Sequence, residues 1–315
     1  MTMWTVARSI SWPVKQRLGQ GQFIGRVLAV FENACNLVTS DGEVMALVTP
    51  QIGNGPFNIV VDNTAGLFSE ITPNTLVALE DERLWVGRLQ VDLAQAVTWN
   101  PQPDWDTLRL RRDTIASYLP HLHALGCQYA PANVFLALLR ESWSGDRLLK
   151  AIYATAHKAA KSLQAGWNSN SEQLREAALG LAGLGGGLTP AGDDFLMGAM
   201  LWAWLAHPTP DFFCQTLLQI AFSRTTTLSA AFLQAAAQGQ CSISWHTLLT
   251  ALSMGQKAKI TASFQEILSH GATSGADTLA GFLYFPMSDL RRFRAYSSLG
   301  VQAGRSSSLE LTCCF

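Results

Sequence analysis

The stretch Trp99–Trp105, WNPQPDW, separates two halves of the chain that have different local patterns. Its two prolines interrupt both helix and strand hydrogen bonding, and its apolar residues follow neither period. A chain of 315 residues is long enough for about two domains. We therefore predict a first domain over residues 1–104, a second over residues 105–286 and a tail over residues 287–315.

Upstream of this stretch the chain has the pattern of short strands. Runs such as IGRVLAVF (24–31) and FNIVVD (57–62) are apolar, contain β-branched residues and are separated by turn residues. Asp41-Gly42 lies between two apolar runs and predicts a hairpin with a type I′ turn. The first half is predicted to be β-rich, with a barrel as one option.

Downstream of this stretch the chain has the pattern of helices. Alanine and leucine recur at helical spacing in RLLKAIYATAHKAAKSL (147–163) and SEQLREAALGLAGL (171–184). The fold class is therefore predicted to be α+β, with a mainly helical second half. His121 and His123 are two residues apart and would point to different sides of a helix, so we predict no metal site there.

Composition excludes several classes of function. Hydrophobic residues make up 48% of the chain, charged residues 14%, and the net charge is -1, so we expect no nucleic-acid partner. The longest apolar stretch, 195–206, is shorter than the roughly 20 residues that span a bilayer, and no secretory signal pattern opens the chain. The cysteines lack metal-ligand spacing. We expect a cytoplasmic protein with reduced thiols and a surface that contacts partners.

The first glycine-rich segment is GLGGGLTPAGDDFLMG, residues 183–198. Its glycines permit backbone angles that other residues avoid, and Thr189 followed by Pro190 predicts a helix start with Thr189 as the N-cap. The apolar residues that follow predict a buried helix, which draws Asp193 and Asp194 inward. A buried carboxylate needs a helix N-terminus, hydrogen bonds, a ligand or a cation. Helix capping alone is the alternative.

The second glycine-rich segment, HGATSGADTLAGF (270–282), repeats the first. Both contain the pattern G-x-T-x-x-x-D, and in the second copy Ser274 and Asp277 resemble a capping box. Two helix N-termini that each carry an inward carboxylate suit a small ligand with an anionic end and a donor end. We predict that the two segments converge on one pocket.

Two further residues are candidates for this pocket. His270 precedes the second loop and could act as a general acid or base, although a single histidine is as often structural. The stretch Ser223–Ser229 could present its hydroxyls and the guanidinium of Arg224 to an anion, with ordinary helix capping as the alternative. The first loop lacks the G-K-[ST] of a phosphate-binding P-loop, so ATP hydrolysis is disfavoured.

The two glycine-rich segments closely resemble the two signature segments of the AllH-like family of bacterial proteins. A looser resemblance covers ENACNLVTSDGEVMALV (32–48) and GNGPFNIVV (53–61), so that it spans roughly residues 20–285. The resemblance implies a subunit of oxamate carbamoyltransferase, which interconverts oxalurate plus phosphate with oxamate plus carbamoyl phosphate in allantoin catabolism. It also implies partner subunits of the FdrA-like and YlbE-like families.

From the residues and the resemblance together we expect a carbamoyltransferase-type subunit that binds a small carboxylate or carbamoyl phosphate. The alternatives are a noncatalytic metabolite-binding or scaffolding subunit and a stand-alone amide hydrolase or lyase. No metal ligands are predicted, and the cofactor is left open, with Mg²⁺ as one candidate. The candidate catalytic residues are His270, Asp193, Asp194 and Asp277. The candidate substrate-binding residues are Gly185, Gly186, Gly187, Thr189, Arg224, Thr273, Ser274 and Gly275.

The tail, residues 287–315, is predicted to be poorly ordered. The segment SSLGVQAGRSSS (297–308) has few large apolar residues and no helical or strand period. It cannot bury enough apolar surface to offset the entropy of ordering the chain. The alternative is a short helix that docks through Leu290, Phe293 and Tyr296.

Overall fold

A computed structural model of the protein describes residues 3–20, 24–62, 66–140, 143, 145–168 and 170–286. The predicted tail, residues 287–315, lies outside the described residues. The strands of the first half are β1 Met3–Ser11, β2 Ile24–Val30, β3 Ala34–Thr39, β4 Val44–Val48, β5 Asn58–Val61, β6 Leu76–Glu80, β7 Arg83–Val86, β8 Leu89–Asp92 and β9 Val97–Trp99. One helix, α1 Trp12–Leu18, follows β1.

The first half is a closed β-barrel, which confirms the architecture that the sequence analysis gave as one option. Eight strands follow the order β5-β4-β3-β2-β6-β7-β8-β1, and β1 pairs with β5 to close the sheet, while β9 extends it beyond β1. Alternate residues of each strand point inward. Fully buried apolar side chains of the strands include Val27, Leu37, Leu47, Ile59, Val61, Leu84 and Val91.

The strand that closes the barrel was not predicted. β1 is antiparallel to β5 through residues such as Ile10 and Ile59, and parallel to β8 through residues such as Met3 and Leu89. Its sequence, MWTVARSIS, mixes polar and apolar residues, so its strand character depends on the strands that it pairs with, β5, β8 and β9. Closure by β1 leaves the barrel without a free edge at this seam.

The β3–β4 hairpin is confirmed, but its predicted turn type is wrong. Within the turn only Gly42 has a positive φ, 85°, whereas a type I′ turn requires positive φ at both central residues. The loop is longer than two residues because Thr39 and Glu43 still pair through their backbones. Positive φ at two successive residues occurs instead at Asp81 and Glu82, between β6 and β7.

The second half is mainly helical, which confirms the predicted α+β class. Its helices are α2 Trp105–Leu110, α3 Arg112–Ser117, α4 Leu119–Tyr129, α5 Arg147–Ala165, α6 Ser171–Leu181, α7 Ala191–Ala206, α8 Pro210–Ala221, α9 Thr227–Ala237, α10 Ile243–Ser253, α11 Lys257–Leu268 and α12 274–286. Short 3-10 helices span Phe135–Leu139, Gly166–Asn168 and Phe222–Arg224. None of the helices in the described part of the chain is both long and apolar enough to cross a membrane.

Helix α7 lies at the centre of the helical half and is buried on nearly all sides, as its apolar sequence predicts. It crosses α12 with the two backbones in close contact. A Cβ added at Gly198 would lie 1.8 Å from the carbonyl oxygen of Thr278, and one added at Gly281 would lie 1.9 Å from that of Phe195. Glycine is therefore needed at both positions for the helices that begin at the two signature loops to pack together.

Helix α9 connects the helical half to the barrel. Its residues Leu228 and Ala235 belong to the hydrophobic core of the barrel half, and Phe232 packs edge-on against Phe57 with ring centroids 4.5 Å apart. Helix α9 follows directly after Thr225 and Thr226, and this short segment also contacts the N-terminus of α7. The barrel, which packs on α9, is therefore held next to that segment.

Candidate functional site

The two signature loops meet, and the contact joins Thr189 to Ser274. The two side-chain hydroxyl oxygens are 2.8 Å apart, so either one donates a hydrogen bond to the other. The loops around them are exposed at Gly185, Gly186, Gly187 and Gly271, whereas the carboxyls of the helices beneath are fully buried. The repeat G-x-T-x-x-x-D therefore places two helix N-termini side by side over a set of acidic groups.

Asp193 has a full set of hydrogen-bond partners. Its Oδ1 accepts from the backbone N–H of Gly183 at 3.0 Å, and its Oδ2 accepts from the hydroxyls of Thr225 and, at 2.9 Å, Ser229. Burial raises the pKa of Asp193, and these three hydrogen bonds oppose the rise. Asp193 thus ties the first loop to the start of α9, and it has little capacity left for a ligand.

Asp194 differs from its neighbour because neither of its carboxyl oxygens has a hydrogen-bond partner among the described residues, although the residue is 0% exposed. Burial raises its pKa well above the ordinary value, and the nearby carboxyls of Asp277 and Asp193 add to the rise. The hydroxyls of Ser274 and Thr189 lie close enough to oppose it. The hydrogen bond between the two hydroxyls uses only one of their O–H groups, so the other can turn towards Asp194, and the carboxyl still keeps unused hydrogen-bonding capacity.

Asp277, the counterpart of Asp193 in the second segment, is partly satisfied. Its Oδ1 accepts from the backbone N–H of Phe135 at 2.6 Å, while its Oδ2 is buried without a partner in the described structure. Burial raises the pKa of Asp277 to about 7, and the hydrogen bond from Phe135 and the hydroxyl of Thr273 oppose the rise. Asp277 thus anchors the 3-10 helix Phe135–Leu139 beside the site.

The predicted capping role of Thr189 is wrong. Helix α7 begins at Ala191 with Pro190 as its N-cap and no side-chain cap, because the Thr189 hydroxyl bonds to Ser274 across the loops. The glycines have separate roles. Gly185 and Gly187 have positive φ, 116° and 89°, in the exposed loop. Gly275 instead packs on α11, where an added Cβ would lie 1.7 Å from the carbonyl oxygen of Ile267.

The side chain of His270 is engaged at the base of the second loop. Its Nε2 lies 3.3 Å from the hydroxyl of Ser244, which donates to Glu266 Oε1 at 2.9 Å. Burial lowers the pKa of His270, and the charge of Glu266 opposes this. Ser244 belongs to α10 and Glu266 to α11, so the imidazole interacts with the ends of these two helices. A role of His270 in proton transfer stays a prediction.

The stretch 223–229 contributes to the site through residues other than Arg224. The side chain of Arg224 is exposed, and its carbonyl oxygen is 2.5 Å from where a Cβ of Gly183 would lie. Thr226 caps α9, as the capping alternative predicted, and accepts from the N–H of Ser229. The sequence predicted that hydroxyls of this stretch face an anion, but it did not identify Asp193 as the acceptor of the hydrogen bonds from Thr225 and Ser229.

Apart from this buried cluster, the structure has an open cleft of about 540 Å³ between the barrel and α9. Thr225 lines it together with Arg17, Glu43 and Gln234, whereas the glycines of the two signature loops are not among its lining residues. Arg17 is already paired with Glu43 there. No three His, Cys, Asp or Glu side chains within the described ranges are arranged to hold a metal ion.

Comparison with known families gives two matches. The family model described as oxamate carbamoyltransferase subunit AllH matches residues 181–285, and the model described as AllH family N-terminal domain matches residues 6–98. No solved structure matches the chain. The first match begins just before the first signature loop and ends within α12, so it contains both loops and all three buried aspartates.

Proposed function

Since the chain belongs to the AllH family, we propose that it is the subunit of a carbamoyltransferase that binds a small carboxylate beneath the two signature loops. The reactants are those of the named family activity: oxalurate and phosphate on one side, oxamate and carbamoyl phosphate on the other. The barrel supports the helical half through α9, and the ligand site belongs to the helical half.

The observation that carries the proposal is the unpartnered carboxyl of Asp194 under the bridge between Thr189 and Ser274. A buried polar group without a partner costs about 1–3 kcal/mol, and proteins keep few of them. A ligand that hydrogen-bonds to Asp194 offsets this cost. Asp193 and Asp277 hold the surrounding elements in place through Gly183 and Phe135.

The chemistry assigns separate tasks to the groups around the site. A phosphate oxygen attacks the carbamoyl carbon of oxalurate, the bond from that carbon to the amide nitrogen breaks, and the nitrogen takes up a proton to leave as oxamate. Backbone N–H groups of the exposed loops at Gly185–Gly187 and Thr273 hold anionic oxygens. Arg224 provides a positive charge at the rim, and His270 moves the proton.

The assay that tests this function combines the chain with partner subunits of the FdrA-like and YlbE-like families and follows formation of carbamoyl phosphate from oxalurate and phosphate. We expect turnover with the complete set, none when this chain is omitted, and a loss of at least about tenfold with Asp194→Ala. Turnover that is independent of this chain contradicts the proposal. Breakdown of oxalurate by this chain alone in the absence of phosphate favours a stand-alone hydrolase or lyase.

A noncatalytic metabolite-binding subunit is the second candidate, and the complete burial of Asp194 favours it. Closed loops over a buried group suit a sensor that traps a ligand. In that case Asp194→Ala removes oxamate binding to the chain while turnover by the assembled complex at saturating substrate stays unchanged.

A further inference from the structure

We propose that Asp194 acts as a neutral carboxylic acid that recognises a primary amide through two hydrogen bonds. The inference rests on the proposed function, since it names the part of the substrate that the same site receives. A carboxylic acid has one O–H donor and one C=O acceptor side by side. A primary amide has the matching acceptor and donor, so the two groups form a closed pair.

The first step of the argument is the unused capacity of the Asp194 carboxyl. Both oxygens lie in the protein interior without a hydrogen-bond partner among the described residues. The other two aspartates each accept at least one backbone N–H, from Gly183 and from Phe135, which favours their charged forms. The hydroxyls of Ser274 and Thr189 lie near this carboxyl but hydrogen-bond to each other, so both carboxyl oxygens can make a two-point contact once the hydroxyls turn away.

The second step concerns the charge of Asp194. In the described structure, the groups close enough to influence this charge are two carboxyls, of Asp193 and Asp277, and two hydroxyls. None of these groups is cationic, and neighbouring carboxyls disfavour a second negative charge. An isolated carboxylate in an apolar interior costs several kcal/mol, whereas the protonated acid avoids this cost.

The third step matches this acid to the substrates. Oxalurate, oxamate and carbamoyl phosphate share a terminal C(=O)NH₂ group, although they differ in the rest of the molecule. One acid that pairs with this group can therefore receive the carbamoyl end of either reactant. An ionised carboxylate has two acceptors and no donor, so it would leave the carbonyl oxygen of the amide unpaired.

The bridge between Thr189 and Ser274 lies beside this acid. Because their hydroxyls hydrogen-bond to each other there, we expect a ligand that enters between the two loops to part them. The exposed glycines at 185–187 give the first loop the conformational freedom for this movement.

The test measures binding of oxamate and of pyruvate to the full chain by calorimetry. Pyruvate has nearly the shape of oxamate, but a methyl group replaces the NH₂. The substitution Asp194→Asn keeps one donor and one acceptor at this position, whereas Asp194→Ala removes both. We expect Asp194→Asn to retain oxamate affinity within about threefold, and Asp194→Ala to lower it at least about tenfold. Pyruvate should bind at least about tenfold more weakly than oxamate.

The outcomes separate this inference from the proposed function. Loss of oxamate binding in Asp194→Asn, or equal binding of pyruvate and oxamate to the unaltered chain, overturns the amide pairing and leaves the proposed function standing. No binding of oxamate to the unaltered chain contradicts the ligand site itself. Infrared spectra of the ligand-free protein give a separate readout: the C=O stretch of a protonated carboxyl should lose intensity in Asp194→Asn relative to the unaltered protein, with Asp277→Asn as the control for the band of Asp277, and unchanged intensity in Asp194→Asn overturns the neutral acid.

Discussion

At the scale of single residues, three buried aspartates have different roles because their hydrogen-bond partners differ. Asp193 accepts from one backbone N–H and two hydroxyls, Asp277 accepts from one backbone N–H, and Asp194 has no partner in the described structure. The sequence places Asp193 and Asp194 next to each other without distinguishing them. Their side chains leave α7 in different directions, and only the tertiary neighbours show which one lacks hydrogen-bond partners.

Substitution of these two neighbours should therefore have opposite consequences. Asp193→Ala leaves the N–H of Gly183 and the hydroxyl of Ser229 without an acceptor, so we expect it to lower the free energy of unfolding by at least about 2 kcal/mol. Asp194→Ala removes an unpartnered buried carboxyl, so it should leave the free energy of unfolding unchanged or higher and abolish ligand-induced stabilisation.

Urea unfolding with and without oxamate measures both effects. Asp194→Asn serves as the matched control for side-chain size. If the ligand stabilises Asp194→Ala as much as it stabilises the unaltered chain, Asp194 does not bind that ligand.

Asp277 gives a prediction about pH. Its pKa is raised from 3.8 to about 7 in the folded protein, so the folded state binds a proton more tightly than the unfolded state. Stability is therefore highest below about pH 4 for this group and falls as the pH rises towards about 7, by up to about 1.4 kcal/mol per pH unit. Asp277→Asn removes this contribution, and the side-chain oxygen of the asparagine can still accept the hydrogen bond from the N–H of Phe135.

The free energy of unfolding at several pH values between about 5 and about 7 tests this sign for Asp277. We expect a shallower decrease in the Asp277→Asn variant than in the unaltered chain. Identical slopes would show that Asp277 is ionised throughout this range.

At the scale of elements, the crossing of α7 and α12 depends on two glycines. Gly198→Ala would place a Cβ 1.8 Å from the carbonyl oxygen of Thr278, so the helices must separate. We expect a loss of at least about 2 kcal/mol in the free energy of unfolding. Gly186→Ala is the matched control, since an added Cβ there meets nothing within 4 Å, and it should change stability by less than about 0.5 kcal/mol. Equal effects of the two variants would contradict the close crossing.

The two loops can also be locked. The hydroxyl oxygens of Thr189 and Ser274 are 2.8 Å apart, so a pair of cysteines at these positions should form a disulfide. Cys127, Cys313 and Cys314 are first replaced by serine to avoid other pairings. We expect the oxidised double variant to lose oxamate binding and to regain it after reduction.

Single-cysteine variants at positions 189 and 274 serve as controls for this lock. Full oxamate affinity in the oxidised, cross-linked protein would show that the ligand does not enter between the loops.

Several of these elements could be predicted from the sequence. The apolar run after Asp194 predicts a buried helix, and the repeated G-x-T-x-x-x-D predicts two helix starts, because these are local patterns. The partners of the buried carboxyls could not be predicted in this way. Phe135 and Asp277 are 142 residues apart, and Thr225 and Asp193 are 32 apart, so only tertiary packing brings them together.

At the scale of the whole molecule, the sequence predicts the fold class but not the topology, because only the fold class depends on local patterns. The strand runs before Trp99 and the helical spacing after Trp105 predict an α+β protein. Closure of the barrel by β1 depends on pairing between strands that are distant in sequence, such as Ile10 with Ile59, and no local signal encodes it. The contact of Phe232 with Phe57, which joins the two halves, is of the same kind.

The most direct test of the ligand site is the crystal structure of the full chain grown with oxamate. We predict electron density for oxamate beneath Thr189 and Ser274, with its amide on the carboxyl of Asp194 and the hydrogen bond between the two hydroxyls opened. Oxamate found only in the cleft between the barrel and α9, with Asp194 still unpartnered and the bridge closed, would contradict the account.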